Sequence, residues 1–344
     1  MFALYNLIDI DLQLFADANT NVTTSSGSGN NLSAEMKTYY SDYLIDNAEP
    51  RLVHDQFGQK HPIPKNGGKT IEFRKYSPLP KLTTALTEGV TPDGQSLNVS
   101  TITATVAQYG GYVTLSDMLL LTAIDNNLVQ ATKLLGSQAG STLDTITREV
   151  LNGGTNVIYS GGQSSRANLV GGADSGNSYL TVDDIKLAVR ALKNQNAEKI
   201  GDSFVAIIHP DVAYDLTNDP AWQNVKDYDP KDWYEGEIGR ICGVRFVETT
   251  EAKIWPKAAK NGTTASDRAV YSTLVLGDNA YGVTEITNGG LQHIVKQLGS
   301  AGTADPIDQR ATVGWKATKV AERLVEQYMV RIESTSTFNP ATAN

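Results

Sequence analysis

The sequence predicts an α+β fold, built around one long helix, with a two-stranded β excursion before that helix and a mixed α/β segment after it. Thr70–Tyr76 and Asn98–Tyr109 alternate apolar and polar side chains, which indicates two strands in a β-rich stretch over residues 69–116. Asp125–Leu151 repeats apolar residues every three or four positions, the spacing of an amphipathic helix. Residues 180–290 mix helix and strand patterns and are expected to form an inserted α/β domain.

The β excursion has a long connection that is rich in proline and glycine and poor in large apolar residues. An isolated hairpin of this length is only marginally stable in water. We therefore expect another chain to support it. The breakers within the connection are Pro78, Pro80, Gly89, Pro92 and Gly94.

The long helix is expected to begin at Asp125 or Asn126 and to end at Gly153-Gly154. Gly136 and Gly140 lie inside it, and each costs about 1 kcal/mol relative to alanine. Close packing of another backbone would compensate, so we expect such a contact there. The positions predicted to face inward are Leu128, Ala131, Leu135, Ala139, Leu143 or Thr142, Ile146 and Val150.

The α/β segment contains local signals for both helices and strands. Thr181–Asp184 resembles a capping box that opens a helix, and His209-Pro210-Asp211 leads into a short helix. The continuous apolar run Phe204–Ile208 predicts a strand that is covered on both faces. Further strands are expected at Val244–Glu248, Ala269–Leu276, His293–Leu298, Ala311–Val320 and Glu326–Glu333, the last three closing the domain begun before residue 150.

The composition of the first 34 residues predicts a tail, with an apolar tip, Met1–Ala16, on a polar linker, Asp17–Asn31. An arm that contacts a neighbouring subunit and a disordered terminus are equally compatible with this composition. Ser33–Ala48 has helical spacing, with Ser33 as the cap and Pro50 as the stop.

Composition and charge exclude several classes of protein. The 344 residues carry a formal net charge of −9, which opposes sequence-independent DNA binding by phosphate neutralisation. The first basic residue is Lys37 and the most apolar stretch, Met118–Ile124, is short, so we expect a soluble protein without a secretory signal. Cys242 is the only cysteine, which rules out an intrachain disulfide. A small buried side chain is favoured over a catalytic nucleophile at Cys242, and the chain suits a reducing cytoplasm.

The sequence predicts no catalytic, cofactor-binding or metal-binding residues. No two of the four histidines, His54, His61, His209 and His293, have a metal-ligand spacing. The glycine pairs match no phosphate-binding loop, and no GxSxG elbow is present. Two interpretations stay open for three aromatic residues, which are either anchors of an intersubunit contact or partly buried surface residues: Trp222, Trp233 and Trp255.

From Leu32 onward the chain resembles the tailed-bacteriophage major capsid proteins of the Hong Kong 97 (HK97)-type fold, and it looks closest to the subfamily of N4-like podoviruses. The resemblance extends over about nine-tenths of the chain. The stretches that carry it are Met36–Ser41, Gln56–Gln59, Ile63–Thr70, Leu86–Val90, Asp144–Gly153, Ile207–Asp211 and Gly299–Trp315.

The resemblance implies a division of the chain into the parts of that fold. Residues 1–65 would be the N-terminal arm, and residues 66–112 the E-loop hairpin, which lies over a neighbouring subunit. The P domain would comprise residues 113–179, with a spine helix at about 125–152, and residues 291–344 as its return strands. Residues 180–290 would be the A domain, whose tip points at the capsomer axis.

The resemblance also implies a function. The chain would be a structural protein, not an enzyme, that assembles into hexamers and pentamers of an icosahedral head enclosing double-stranded DNA. Its partners would be its own copies, a portal, a separate scaffolding protein and, as a further candidate, decoration proteins, with no membrane and no cofactor. The protein would reside in the virion after assembly in the host cytoplasm. Lys75 and Lys81 could donate to a covalent crosslink, but no motif identifies its acceptor.

Two alternatives stay open. The shell protein of an encapsulin-like nanocompartment shares the fold and would enclose cargo enzymes instead of DNA. A soluble α/β enzyme or ligand-binding protein would be a stable monomer.

Overall fold

The computed structural model describes residues 20–21, 53–64, 68–76, 79–91, 93–123, 127–172, 176–226, 239–261, 264–284, 291–300, 305–340 and 342–344. The predicted helix Ser33–Ala48, the apolar tip Met1–Ala16, the helix caps Asp125 and Asn126, and Trp233 lie outside these residues. The chain forms two compact units. The smaller comprises residues 1–48, 110–137 and 292–316, and the larger comprises residues 49–109, 138–291 and 317–344.

The helices confirm the local signals of the sequence. The capping box is present, since Thr181 Oγ1 accepts from the Asp184 backbone N–H at 3.3 Å and the Asp184 carboxylate accepts from the Thr181 N–H at 3.1 Å. His209 caps the short helix that follows, with Pro210 in its first turn. The helices of the described residues are α1 (Asp117–Thr122), α2 (Asn127–Asn152), α3 (Val182–Asn194), α4 (Pro210–Thr217) and α5 (Pro220–Lys226).

The strands include all those predicted. Thr70–Tyr76, Phe204–Ile208 and Val244–Glu248 have the predicted ends, Asn98–Tyr109 is divided between two strands, and the other predicted strands have shifted ends. The strands of the described residues are β1 (Thr20–Asn21), β2 (Gln59–Lys60), β3 (Thr70–Tyr76), β4 (Val99–Thr105), β5 (Ala107–Ser116), β6 (Val157–Tyr159), β7 (Val170–Gly171), β8 (Phe204–Ile208), β9 (Arg240–Ile241), β10 (Val244–Glu248), β11 (Ile254–Asn261), β12 (Thr264–Leu276), β13 (Tyr281–Thr284), β14 (Gln292–Lys296), β15 (Arg310–Arg323) and β16 (Met329–Ser334).

The smaller unit is built on β5 and on the first half of β15. β1 pairs with β5 in parallel, and β14 pairs antiparallel with residues 312–316 of β15. Gly314 allows close approach of the strands, because a Cβ there would lie 3.0 Å from the Gly111 carbonyl oxygen. The buried apolar side chains of this unit include Leu115, Leu119, Leu135, Val313 and Trp315.

The larger unit contains an eight-stranded sheet in the order β6-β16-β12-β8-β10-β9, with β11 paired to β12 and β7 paired to β11. β8 pairs in parallel with β10 and antiparallel with β12. All five residues of β8 are buried, which confirms a strand covered on both faces. Its core joins the sheet to α3 and α4 through a cluster that includes Ile185, Leu192, Phe204, Ala206, Val212 and Leu216.

Sequence periodicity missed or misplaced several strands. Asn98–Tyr109, predicted as one strand, divides at Val106, whose buried N–H bonds to the Lys69 carbonyl at 2.9 Å. β11 was missed because Pro256 and three register shifts interrupt its pairing with β12. β6 and β16 lie outside residues 180–290 in sequence, yet they belong to the eight-stranded sheet. Long-range pairing, which periodicity does not report, decides such membership.

Helix α2 is confirmed, but part of its predicted inward face is wrong. Leu135, Ala139 and Leu143 are buried as expected, whereas the other predicted positions are only half-buried: Leu128, Ala131, Ile146 and Val150. In the second half of the helix, polar residues take the buried face: Asp144, Thr147 and Arg148, followed by Leu151.

The expected close packing at Gly136 is also wrong for the part of the chain that the structure describes. A Cβ at this position would have no heavy atom within 4 Å. Gly136 is exposed, so its cost in the helix is not offset by a contact within this part of the chain.

Candidate interaction surface

The hairpin of β3 and β4 is anchored at its root and lacks a further paired strand among the described residues. Its register runs from Thr70 opposite Thr105 to Tyr76 opposite Val99. At the root, the Phe73 ring lies against Gly282, where a Cβ would be 3.1 Å from Phe73 Cζ. His61 meets the same ring edge-on, with centroids 5.9 Å apart. The root is therefore packed within its own unit.

The connection between the two strands, which we call the tip (residues 77–98), presents apolar side chains to solvent. Its described residues are all exposed. Full burial of one such side chain contributes roughly 1.5–3 kcal/mol, so covering several of them would stabilise a contact substantially. The large apolar side chains and their exposed fractions are Leu79 (51%), Leu82 (78%), Leu86 (76%), Val90 (62%) and Leu97 (68%).

This exposure agrees with the expectation that the excursion lacks a core of its own. Single exposed apolar residues are ordinary on protein surfaces, but a series along one short segment is typical of a contact surface. The tip therefore has the composition of an interface without its partner.

A buried polar cluster ties the segment before β2 to α2 and β15 in the larger unit. The Asp144 carboxylate accepts from the His54 backbone N–H at 2.8 Å and lies 2.6 Å from His54 Nδ1. Asp55 accepts from Thr147 Oγ1 at 2.5 Å and from the Lys319 ammonium. Lys319 also donates to the Leu143 carbonyl at 2.7 Å. Because a carboxylate only accepts, Nδ1 of His54 carries the proton in this arrangement.

The geometry of this cluster fits a structural tie better than a reactive site. His54 is fully buried, and its Nε2 has no hydrogen-bond partner among the described residues. The Tyr281 hydroxyl donates to the His54 carbonyl. Burial, and secondarily the charge of Asp55, raises the pKa of Tyr281 well above its ordinary value, so it stays a neutral donor. A histidine sealed in this way cannot reach a substrate.

A second buried cluster stabilises the end of α2. The buried carboxylate of Glu333 accepts two hydrogen bonds from Arg166, both at 2.7 Å, and one from Arg331 at 2.9 Å. Arg331 also donates to the carbonyls of Asn152 and Gly154, where the helix dipole is negative. The Arg166 guanidinium lies 3.7 Å from the Trp255 ring centroid, a cation–π contact.

The structure corrects the expectation for Cys242, which is exposed. Cys242 and Gly243 form a two-residue turn between β9 and β10, with φ angles of 55° and 79°. Positive φ at both positions is the geometry of a type I′ hairpin turn, and a side chain at its tip faces solvent. The apolar residues that follow are in the strand and are buried, but the turn is not.

The structure separates Trp222 from Trp255, the two described members of the set of aromatic residues left open by the sequence. Trp222 is 3% exposed and packs edge-on against Phe246 at 5.5 Å, so it belongs to the core of the larger unit. Trp255 is half-buried beneath Arg166. Neither interpretation left open by the sequence describes Trp222, because the surrounding helices and strands, distant in sequence, bury it.

Two other kinds of site are absent from the described residues. No group of three or more histidine, cysteine, aspartate or glutamate side chains among them is placed to hold a metal ion. None of their helices is both long enough and apolar enough to span a membrane.

Sequence reasoning identified the hairpin but missed both buried clusters. The available signal was the spacing of Asp144, Thr147 and Arg148, which places polar residues on one face of α2. On its own this spacing is equally typical of a solvated helix face.

The fold is that of known capsid subunits. The capsid of Ralstonia phage GP4 matches with a TM-score of 0.65 and 16% identity, over 88% of this chain and 96% of that chain. The capsid of cyanophage P-SCSP1u matches with a TM-score of 0.64 and 13% identity, over 86% and 91%. The capsid of cyanophage Pam1 matches with a TM-score of 0.61 and 16% identity, over 88% of this chain and 97% of that chain. These likenesses confirm the α+β, HK97-type fold.

A comparison of sequences supplies the family. No curated protein sequence matches the chain. The model of a family described as phage capsid protein matches residues 99–328, more than half of the chain. The predicted N4-like podovirus subfamily stays a prediction. Taken with the fold and the exposed hairpin tip, this match shows that the chain belongs to the phage capsid protein family.

Proposed function

We propose that copies of this chain assemble into hexameric and pentameric capsomers of an icosahedral phage head that encloses double-stranded DNA. The family makes the chain a structural component of the virion. The exposed apolar tip of the hairpin is the observation that carries the proposal of self-assembly. Its five large apolar side chains are between 51% and 78% exposed, which a finished assembly would cover.

In this proposal, the parts of the chain keep the roles that the resemblance implies. Residues 1–65 are the N-terminal arm, and residues 66–112 are the E-loop, which binds a neighbouring copy. Residues 113–179 and 291–344 form the P domain, and residues 180–290 form the A domain. In support, β3 and β4 extend between an anchored root and an exposed tip, and α2 provides a helix of 26 residues.

The head would act as a container and not as a DNA-binding surface. A net charge of −9 disfavours phosphate neutralisation by this chain, so DNA is held by enclosure. We propose a structural role without catalytic activity, as the family suggests, and the burial of His54 is consistent with this role. The further partners proposed are a portal and a separate scaffolding protein, with decoration proteins as an additional candidate, and assembly takes place in the host cytoplasm.

Replacing residues 77–98 with an Asn-Gly turn tests the proposal directly. Tyr76 is paired with Val99, so a two-residue turn closes the hairpin in the same register. We expect the variant to fold, with its free energy of unfolding changed by less than about 0.5 kcal/mol. We also expect it to form no shells, as seen by negative-stain electron microscopy, under conditions in which the wild-type chain does.

A second variant tests whether the apolar side chains of the tip, and not only its length, are needed for assembly. Replacing the five exposed apolar residues of the tip with serine keeps the connection intact and should also prevent shell formation. If either variant unfolds the subunit, the tip belongs to the subunit core. If both variants form normal shells, the tip is not the assembly contact.

A further inference from the structure

A basic groove lies on the outer face of α3 in the larger unit. Its volume is about 450 Å³, and three of its six lining residues are cations, whereas none is a carboxylate. The chain as a whole carries a net charge of −9, so the groove is opposite in sign to the overall charge of the chain. The lining residues are Lys186, Val189, Arg190, Lys193, Asn194 and Cys242.

The periodicity of α3 creates the groove. The apolar face of the helix is buried against the sheet, through residues such as Ile185 and Leu192. The three cations at positions i, i+4 and i+7 then form one exposed stripe along the edge of this buried face, next to Val189. The exposed β9–β10 turn brings Cys242 to the edge of this stripe.

Two of the three cations have no ion-pair partner among the described residues. Lys186 donates to Asp183 at 2.9 Å, and this contact raises the pKa of Lys186. Arg190 and Lys193 make no ion pair with any residue in the part of the chain that the structure describes. Exposed cations at fixed spacing, beside an apolar floor at Val189, favour an acidic partner.

The sequence contains a segment of matching chemistry at residues 227–237. It carries five carboxylates and one cation, Lys231, and thus a formal charge of −4 (five minus one). Three aromatic residues, Tyr228, Trp233 and Tyr234, lie among the charges and have the character of interface anchors. The carboxylates are Asp227, Asp229, Asp232, Glu235 and Glu237.

We propose that the acidic segment 227–237 of one copy binds the α3 groove of the next copy around a capsomer. The inference rests on the proposed self-assembly and names one contact that builds the ring. A contact between two different surfaces of identical copies is heterologous, and repetition of such a contact closes a ring when the rotation between copies permits. Each copy offers one acidic segment and one basic groove, as such a ring requires.

The single cysteine provides the test. Tyr234→Cys places a second thiol in the acidic segment, and a short bis-maleimide can then join it to the native Cys242. In assembled shells we expect chain-to-chain crosslinks, visible as a ladder on a denaturing gel that extends to the copy number of the capsomer. The variant Tyr234→Cys/Cys242→Ser is the matched control and should give no ladder.

Charge reversal tests the chemistry of the contact. Arg190→Glu/Lys193→Glu should slow assembly at least tenfold, as should Asp229→Lys/Asp232→Lys. The combination of all four substitutions restores opposite charges and should recover most of the rate. Lys199→Glu, an exposed lysine on the same unit but outside the groove, is the control and should assemble like the wild type.

The outcomes separate this inference from the proposed function. Shells that form without a ladder, or with crosslinks only inside single chains, overturn the groove contact and leave self-assembly standing. Failure of the four-substitution variant to recover would overturn the contact as well. A wild-type chain that stays monomeric, with no crosslink between chains, overturns both.

Discussion

The hairpin tip and the second half of α2 both depart from the usual pattern of apolar residues inside and charged residues outside. The tip exposes apolar side chains, whereas the helix buries charged ones. The tip exposes large apolar residues, such as Leu82 at 78% and Leu86 at 76%. The helix region buries charged residues, including Asp144 and Arg148, with Lys319 and Glu333 on neighbouring strands.

The two regions differ in whether the partners of these side chains lie within the described part of the chain. The buried charges have their partners within the larger unit. Lys319 donates a hydrogen bond to Asp55, and Arg166 and Arg331 donate hydrogen bonds to Glu333. The exposed leucines have no covering surface in the described part of the chain. The buried polar clusters therefore stabilise the larger unit from within, and the exposed apolar surface of the tip is the part that the proposed assembly would cover.

The largest effect on subunit stability is expected from Glu333→Ala. This change leaves Arg166 and Arg331 without their shared carboxylate, and loss of one partner in a buried ion cluster costs about 3–5 kcal/mol. Chemical denaturation would measure the change in the free energy of unfolding.

Glu72→Ala is the matched control for the buried carboxylate. Glu72 and Arg74 are both exposed on the hairpin, with charged atoms 3.7 Å apart, and such a pair contributes about 0–1 kcal/mol. Equal losses from the two substitutions would contradict the distinction between buried and exposed charge.

Two adjacent leucines of α2 provide the next test. Leu135 is 4% exposed and Leu134 is 53% exposed. Leu135→Ala should lower the free energy of unfolding by about 2–5 kcal/mol, because it leaves a cavity in the core. Leu134→Ala removes the same atoms from the surface and should change stability by less than about 0.5 kcal/mol. An unchanged melting temperature for Leu135→Ala would remove it from the core.

A smaller gain in stability is expected from Gly136→Ala. The added methyl group has open space in the subunit, and alanine is favoured over glycine within a helix by about 0.5–1 kcal/mol. Thermal melting of the isolated subunit measures this gain. A loss of stability would show that a backbone does pack against Gly136.

The smallest effect concerns the pH dependence of stability at His209, which caps α4. Burial lowers the pKa of His209 below its ordinary value of 6.5, and the nearby Asp211 only partly opposes this shift. The unfolded chain therefore binds the proton more readily than the folded one. The stability contributed by neutral His209 is present above about pH 6.5 and is lost as the pH falls below it.

His209→Asn keeps a side chain that can cap the helix but cannot titrate. The melting temperature of the variant should fall less than that of the wild type between about pH 7.5 and about pH 5.5. Parallel curves for the two proteins would exclude His209 as a source of the acid sensitivity.

Local patterns were enough to predict much of the fold. The capping box at Thr181, the buried strand Phe204–Ile208 and the long helix follow from contacts between residues near in sequence or from simple periodicity. The interaction site was predicted in outline, since proline, glycine and a shortage of apolar residues indicated a hairpin without its own core. The positions of its exposed leucines needed the structure.

Other features depended on residues far apart in the chain. The pairing of His54 with Asp144 spans 90 positions, and that of Arg166 with Glu333 spans 167. A charged residue on a helix has the same local pattern whether it faces water or a buried partner. For this reason Asp144 and Arg148 were not placed in the interior. Cys242 was placed there incorrectly because it was grouped with the apolar strand residues that follow it, whereas it lies in the exposed turn before them.

The sequence by itself determined the long helix, the capping box at Thr181, the buried strand Phe204–Ile208, the hairpin without a core of its own and the resemblance to phage capsid proteins, because near-neighbour propensities and side-chain spacing are local properties of the chain. Only the tertiary structure decided which polar side chains are buried, which strands join the eight-stranded sheet and that the turn carrying Cys242 lies beside the cations of α3. These outcomes depend on long-range pairing and on the desolvation of charges, and neither has a local signature in the chain.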